Sequence, residues 1–247
     1  MKKIFILLCG MVFAAQFTSV SAQSTTKMKV YKTDGSVVEY TTSEVDSVTF
    51  YTQEDDPKDG KIINGHKFVD LGLPSGLLWA ETNIGAETAA DDGYYFAWGE
   101  TKTKDTYTTD NYTYKENPTT LNAEHDAATQ NWGSSCRMPT KAEIEELSNS
   151  ANCTWTWTSQ TTSSGSTING YKVTSVKNGN SIFLPASGVR NNGDILLRSS
   201  RGYYRSSTLY PSDSNLACYI YISSDVCNSS YGCDRSWGLS VRPVAKP

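Results

Sequence analysis

The chain has 247 residues, a formal net charge of -4 and 19% charged residues, with no basic run. That balance excludes a surface built to grip nucleic acid, and the length allows one good-sized domain plus a small module. Short apolar runs separated by Thr, Ser, Asn, Gly and Tyr, without a long helical period, indicate an extracellular β-rich protein.

The first stretch, "MKKIFILLCGMVFAAQFTSVSA", has the three parts of an export leader over residues 1–22. Lys2 and Lys3 form the basic start, 4–17 the apolar run and Val20-Ser21-Ala22 the small-residue cleavage site. Gly10 and Gln16 interrupt the run, so cleavage near Gln23 is expected and no transmembrane anchor remains. A small β module is expected over 23–51: strands 29–32 and 37–41 around the turn pair Asp34-Gly35, then a third strand at 47–51. The polar stretch 52–61, with Pro57 and Gly60, reads as a linker.

The main domain is expected over 62–245. Asn64-Gly65 signals a hairpin turn before a strand at 66–71, and Leu73-Pro74-Ser75-Gly76 a tight turn before a strand at 77–83. Between 122 and 130 a short helix is expected, with Glu124 and Asp126 near its amino end. In "MPTKAEIEELSNS", Thr140 and Glu143 have capping-box spacing, and Ala142, Ile144, Leu147 and Ala151 supply a buried stripe. Farther on, Asn169-Gly170 and Asn178-Gly179 are expected to bracket a strand at 171–176, answered by an antiparallel partner at 181–185.

Five cysteines follow the leader: Cys136, Cys153, Cys218, Cys227 and Cys233. Export brings them into an oxidising space, where Cys218, Cys227 and Cys233 are candidates for a disulfide of open connectivity. A turn at Ser224-Asp225 would set Ile222 opposite Cys227, with Cys218 and Ile220 on the same face.

The series "FVDLGLPSGLLWA", "YFAWGET", "NWGSSCRMPTKAEIEEL", "CTWTWT", "NGYKVTSVKNGNSIFLPASG", "GYYRSST" and "WGLSVRPV" resembles the Fibrobacter succinogenes major paralogous domain family, exported proteins common in gut Bacteroidetes. The resemblance covers 62–244. It implies an α+β, C-type-lectin-like fold of short antiparallel strands with one or two helices, in which the first strand of the domain pairs with the last. It also implies scaffold roles for Arg137, Glu143 and Arg242.

Related formylglycine-generating enzymes carry a copper-binding cysteine pair late in the same fold. Here "CNSSYGC" has five residues between Cys227 and Cys233 where those enzymes have four, and neither His66 nor His125 is near in sequence. The resemblance also implies that relatives which diversify do so in the carboxy-terminal stretch, where Asn, Tyr, Asp, Ser and Cys replace one another.

Residues 199–237 fit that display reading, because Tyr brings rigid contact area and Ser or Asn adaptable hydrogen bonds. The candidate ligand contacts are Tyr203, Tyr204, Arg205, Tyr210, Tyr219, Tyr221, Asn228, Tyr231, Asp234, Arg235 and Trp237. No catalytic residue, metal site or cofactor is expected: Asp91-Asp92 reads as a solvated turn, and most tryptophans as core. The functional expectation is a non-enzymatic recognition protein binding a protein or glycan ligand in the periplasm, at the cell surface or outside the cell. A copper-dependent oxidase and a structural surface or fimbrial component are the alternatives.

Overall fold

The computed structural model describes residues 26–31, 35–45 and 60–247. The chain divides into two compact units, Met1–Thr52 and Gln53–Pro247. The leader, the strand expected at 47–51 and linker residues 52–59 lie outside the described residues.

In the first unit, β1 (Lys27–Tyr31) pairs antiparallel with β2 (Val37–Thr41), Lys29 opposite Glu39 and Val30 opposite Val38. β1 begins two residues earlier than expected. Alternation gives the ribbon a charged side, with Glu39 paired to Lys27 at 3.2 Å and Lys29 at 2.7 Å. Met28, Val30, Val38 and Tyr40 share the other side.

The second unit opens with β3 (Lys61–Ile63) and β4 (His66–Asp70), joined by Asn64-Gly65 at φ 50° and 81°. Both residues are left-handed, as a two-residue hairpin requires. The amide of Gly76 donates to Leu73 O at 2.9 Å, closing the expected turn before β5 (Leu78–Ala80), and β6 (Tyr95–Phe96) follows.

The helix expected over 122–130 breaks at Asp126. Asn122 caps a 3-10 turn, Ala123–His125, and Asp126 then caps α1 (Ala127–Trp132) by accepting the Thr129 amide at 2.8 Å. Two competing caps four residues apart explain the break.

Next come β7 (Cys136–Arg137) and α2 (Lys141–Ser148), whose capping box between Thr140 and Glu143 is complete. Arg137 grips the Glu143 carboxylate through both guanidinium nitrogens, at 2.7 and 2.6 Å. Ile144 and Leu147 face the core, whereas Ala142 and Ala151 are exposed, so the buried stripe is narrower than expected.

β8 (Cys153–Thr161), β9 (Thr167–Ser175) and β10 (Ser181–Pro185) form one antiparallel sheet in the order β10-β9-β8. Asn169-Gly170 does not turn; it lies inside β9. A Cβ on Gly170 would sit 2.3 Å from Leu184 O, so this glycine serves close strand approach rather than a bend. Asn178-Gly179 is the real turn, with Gly179 at φ 76°.

A small hairpin, β11 (Val189–Asn191) and β12 (Asp194–Leu196), leads into the long strands β13 (Arg201–Leu209), β14 (Leu216–Ser223) and β15 (Cys227–Asp234). The chain closes with β16 (Leu239–Ser240) and β17 (Val244–Ala245).

Two five-stranded sheets organise the unit, in the orders β3-β4-β5-β17-β7 and β15-β14-β13-β16-β6. Both ends of the domain thus enter one sheet, but β17 pairs with β5 and β7 rather than with the first strand, β3, which stays at the edge. The described residues form a mostly β architecture with two helices, none long and apolar enough to cross a membrane.

One core cluster gathers Phe68, Phe96, Trp98, Trp132 and Met138; another gathers Trp79, Ile144, Leu147, Val173 and Ile222. Arg242 is buried and ties β5 to β10, donating to Asn83 Oδ1, to the carbonyls of Ala80 and Glu81, and to that of Phe183. Burial lowers its pKa to about 10, so it stays charged at neutral pH.

Candidate functional site

Residues 199–237 supply β13, β14 and β15, and pleating decides which of their side chains meet. Tyr203 is opposite Tyr221, Arg205 opposite Tyr219, and Tyr219 opposite Tyr231. Paired residues project to the same side of a sheet, so Tyr203, Tyr219, Tyr221 and Tyr231 come together on one face.

Their rings form a continuous cluster. Tyr203 stacks on Tyr219 with centroids 5.7 Å apart and meets Tyr221 edge-on at 5.3 Å, while Tyr231 approaches both Tyr219 and Tyr221 at 6.4 Å. Such offset and edge contacts stabilise aromatic pairs beyond their burial. Tyr203 and Tyr219 are closed in by Val189 and Leu239, and burial pushes both phenols up. Tyr221 and Trp237 are half-buried, Asn228 faces Tyr221 from β15, and Tyr231 is 47% exposed.

Arg201 completes the rim. Its guanidinium lies 5.8 Å from the Tyr221 ring centroid, a cation-π contact. Reading the sequence did not single it out, although alternation along "RGYYR" puts Arg201, Tyr203 and Arg205 on one side of β13.

Four candidates move from contact to support. Tyr204 faces the opposite side, is 3% exposed and donates its hydroxyl to Pro185 O at 2.6 Å. Arg205 has no exposed surface; it donates to Cys233 Sγ at 3.0 Å, Asp234 O at 3.2 Å and Trp237 O at 2.8 Å. Arg235 is buried among the rings of Trp98, Tyr112 and Tyr114 and donates to Tyr112 Oη, Asn117 Oδ1 and three backbone carbonyls. Asp234 turns its carboxylate onto Ser236 N and Oγ, at 2.8 and 2.7 Å. Charged residues were expected outside because burial normally demands a partner; here carbonyls and aromatic faces substitute for a carboxylate. Tyr210 packs against Gly232, whose partner Cys218 belongs to the reverse face, so it stands apart from the four-tyrosine cluster.

The cysteines separate in the same way. Ile222 is opposite Cys227, as the turn at Ser224-Asp225 implied. Between Tyr219–Tyr231 and Tyr221–Asn228 the register shifts, two steps on β14 matching three on β15. This bulge reverses parity, so Cys233 lies with the tyrosines while Cys227 joins Ile220 and Ile222 on the core side. All five described cysteines are free. Cys218 shares the Cys227 face but lies four residues from its cross-strand partner Ile222, about 13 Å along the strand and beyond disulfide reach. The expected disulfide among Cys218, Cys227 and Cys233 is therefore corrected to three separate thiols.

Burial raises the Cys227 thiol to about 12. It also raises Cys233, against the pull of Arg205. Both are neutral thiols near pH 7 rather than thiolates.

Elsewhere, Asp91 accepts from Thr88 and Ser163 through backbone amides and hydroxyls, whereas Asp92 is mostly buried and pairs with Arg198 at 2.5 Å, so the pair braces neighbouring loops instead of making the solvated turn expected. Trp79, Trp98 and Trp132 are buried; Trp132 stacks on His66 at 3.7 Å. No family model, curated protein or solved structure matches the chain.

Proposed function

We propose that this is an exported, non-enzymatic recognition protein that presents a tyrosine-rich face on a C-type-lectin-like scaffold to a protein or glycan outside the cytoplasm. The observation that carries the reading is the four-tyrosine cluster, half sealed and half open. Tyr203 and Tyr219 anchor it, and Tyr221, Tyr231, Asn228, Trp237 and Arg201 form an outward rim. Aromatic side chains held rigid before contact lose little entropy on binding, which is the economy paratopes use.

The resemblance to the major paralogous domain family supports the same reading, since the display stretch coincides with the region relatives vary. The opposed orientation of Cys227 and Cys233 favours it over a copper oxidase, because a metal-binding pair has to converge on one point.

The test is an array of immobilised glycans and random peptides probed with the mature protein and with Y221A and Y231A variants. Ligands captured by the parent and lost by both variants support the face. Capture that both variants retain overturns it.

A further inference from the structure

Between β6 and the 3-10 turn at Ala123, residues 97–122 run without a strand or helix. Irregular segments longer than about 15 residues inside a compact domain are uncommon and usually serve a function. This one is firmly held. Arg235 donates to the carbonyls of Tyr114 and Glu116, Glu100 accepts Thr113 N and Oγ1 at 2.8 Å, and Lys104 donates to Asn111 O and Oδ1.

The segment walls a cleft of about 610 Å³, within the size range of small-molecule sites. Three lysines and three glutamates line it, and only one pair is spent internally: Lys104 and Glu100, at 2.5 Å. Among the described residues, Lys102 and Lys115 have no carboxylate in ion-pair contact, and Glu116 and Glu124 no cation.

His125 closes one side of the cleft, its Nδ1 donating to Gly99 O at 3.1 Å. Tyr114 holds the ring in place, with centroids 4.3 Å apart. Apart from Lys104 and Glu100, charges of both signs thus line one cleft without pairing with each other.

We propose that this cleft binds a small zwitterion of dipeptide size, its carboxylate toward Lys102 and Lys115 and its ammonium toward Glu116 and Glu124. The site is separate from the tyrosine face and does not depend on it.

Calorimetric titration of the full mature protein with the free dipeptides Ala-Ala and Gly-Phe tests this, with N-acetylated, C-amidated Ala-Ala and N-acetylglucosamine as uncharged probes. Expected are saturable binding of a free dipeptide, binding of the blocked forms at least about tenfold weaker, and a loss of about tenfold in each of K102Q and E124Q. Both positions are exposed, so the variants fold, and Y231A binds as the parent does. The proposal is overturned if neither free dipeptide saturates by about 10 mM, if a blocked peptide or the sugar binds as well as the free one, or if both charge variants bind like the parent.

Discussion

Cys227 and Cys233 project from opposite faces of the same edge strand, the first against Ile222 in the core and the second under the tyrosine cluster beside Arg205. Six residues apart on a regular strand they would share a face. The single bulge in β15 decides that they do not.

The first prediction concerns those thiols. Alkylation of the unfolded mature protein without reductant modifies all five, Cys136, Cys153, Cys218, Cys227 and Cys233. In the folded protein Cys227, the one that is not fully buried, is labelled first. Mass spectrometry of the labelled peptides reads both, and a peptide pair linked through Cys227 and Cys233 would refute the strand register.

Buried arginine and exposed tyrosine are expected to separate support from contact. R205A strips donors from two carbonyls and empties a closed site, so it lowers stability by at least about 3 kcal/mol in urea unfolding. Y231A, at an exposed rim position, changes stability by no more than about 0.5 kcal/mol. Comparable losses in both would mean that the rim is structural.

Two glycines with the same neighbour in sequence differ in why they are glycine. G170A drives a methyl group to 2.3 Å from Leu184 O inside β9, and a loss of about 1–3 kcal/mol is expected from strand displacement. G65A meets nothing within 4 Å but must hold φ 81°, a penalty of about 1 kcal/mol. Thermal or urea midpoints of the two variants give the comparison.

The capping box sets an acid limb. Burial pushes the Glu143 carboxyl up, but Arg137 and the Thr140 amide pull it further down, to below its ordinary value of 4.5. A carboxylate with a lowered folded pKa stabilises fully above its unfolded value, and that contribution vanishes as pH falls through the folded value. The parent therefore loses more stability than E143Q between about pH 7 and about pH 3, and unfolding midpoints at the two limits measure the difference. T140A removes the other half of the box, at about 1 kcal/mol.

Features set by neighbours in sequence were legible. The Asn64-Gly65 turn, the Thr140–Glu143 box and the approach of Ile222 to Cys227 each depend on a few adjacent residues. Features set across the fold were not. Asn169-Gly170 has the same letters as Asn64-Gly65, yet its role is decided by β10 lying against it. Arg205 and Arg235 looked like surface residues because the carbonyls that satisfy them come from distant loops. One register shift, in β15, settled that Tyr231 joins the other tyrosines. Arg201 was within reach of simple alternation and went unmarked.

The central claim is that ligand meets the protein at the open half of the tyrosine cluster. Hydroxyl-radical footprinting of the mature protein, alone and with the strongest binder from the glycan and peptide array, tests it most directly. The account predicts protection of Tyr221, Tyr231 and Trp237, with Tyr94, exposed elsewhere, unchanged. Protection confined to other surfaces, with those three residues oxidised as in the free protein, would contradict it.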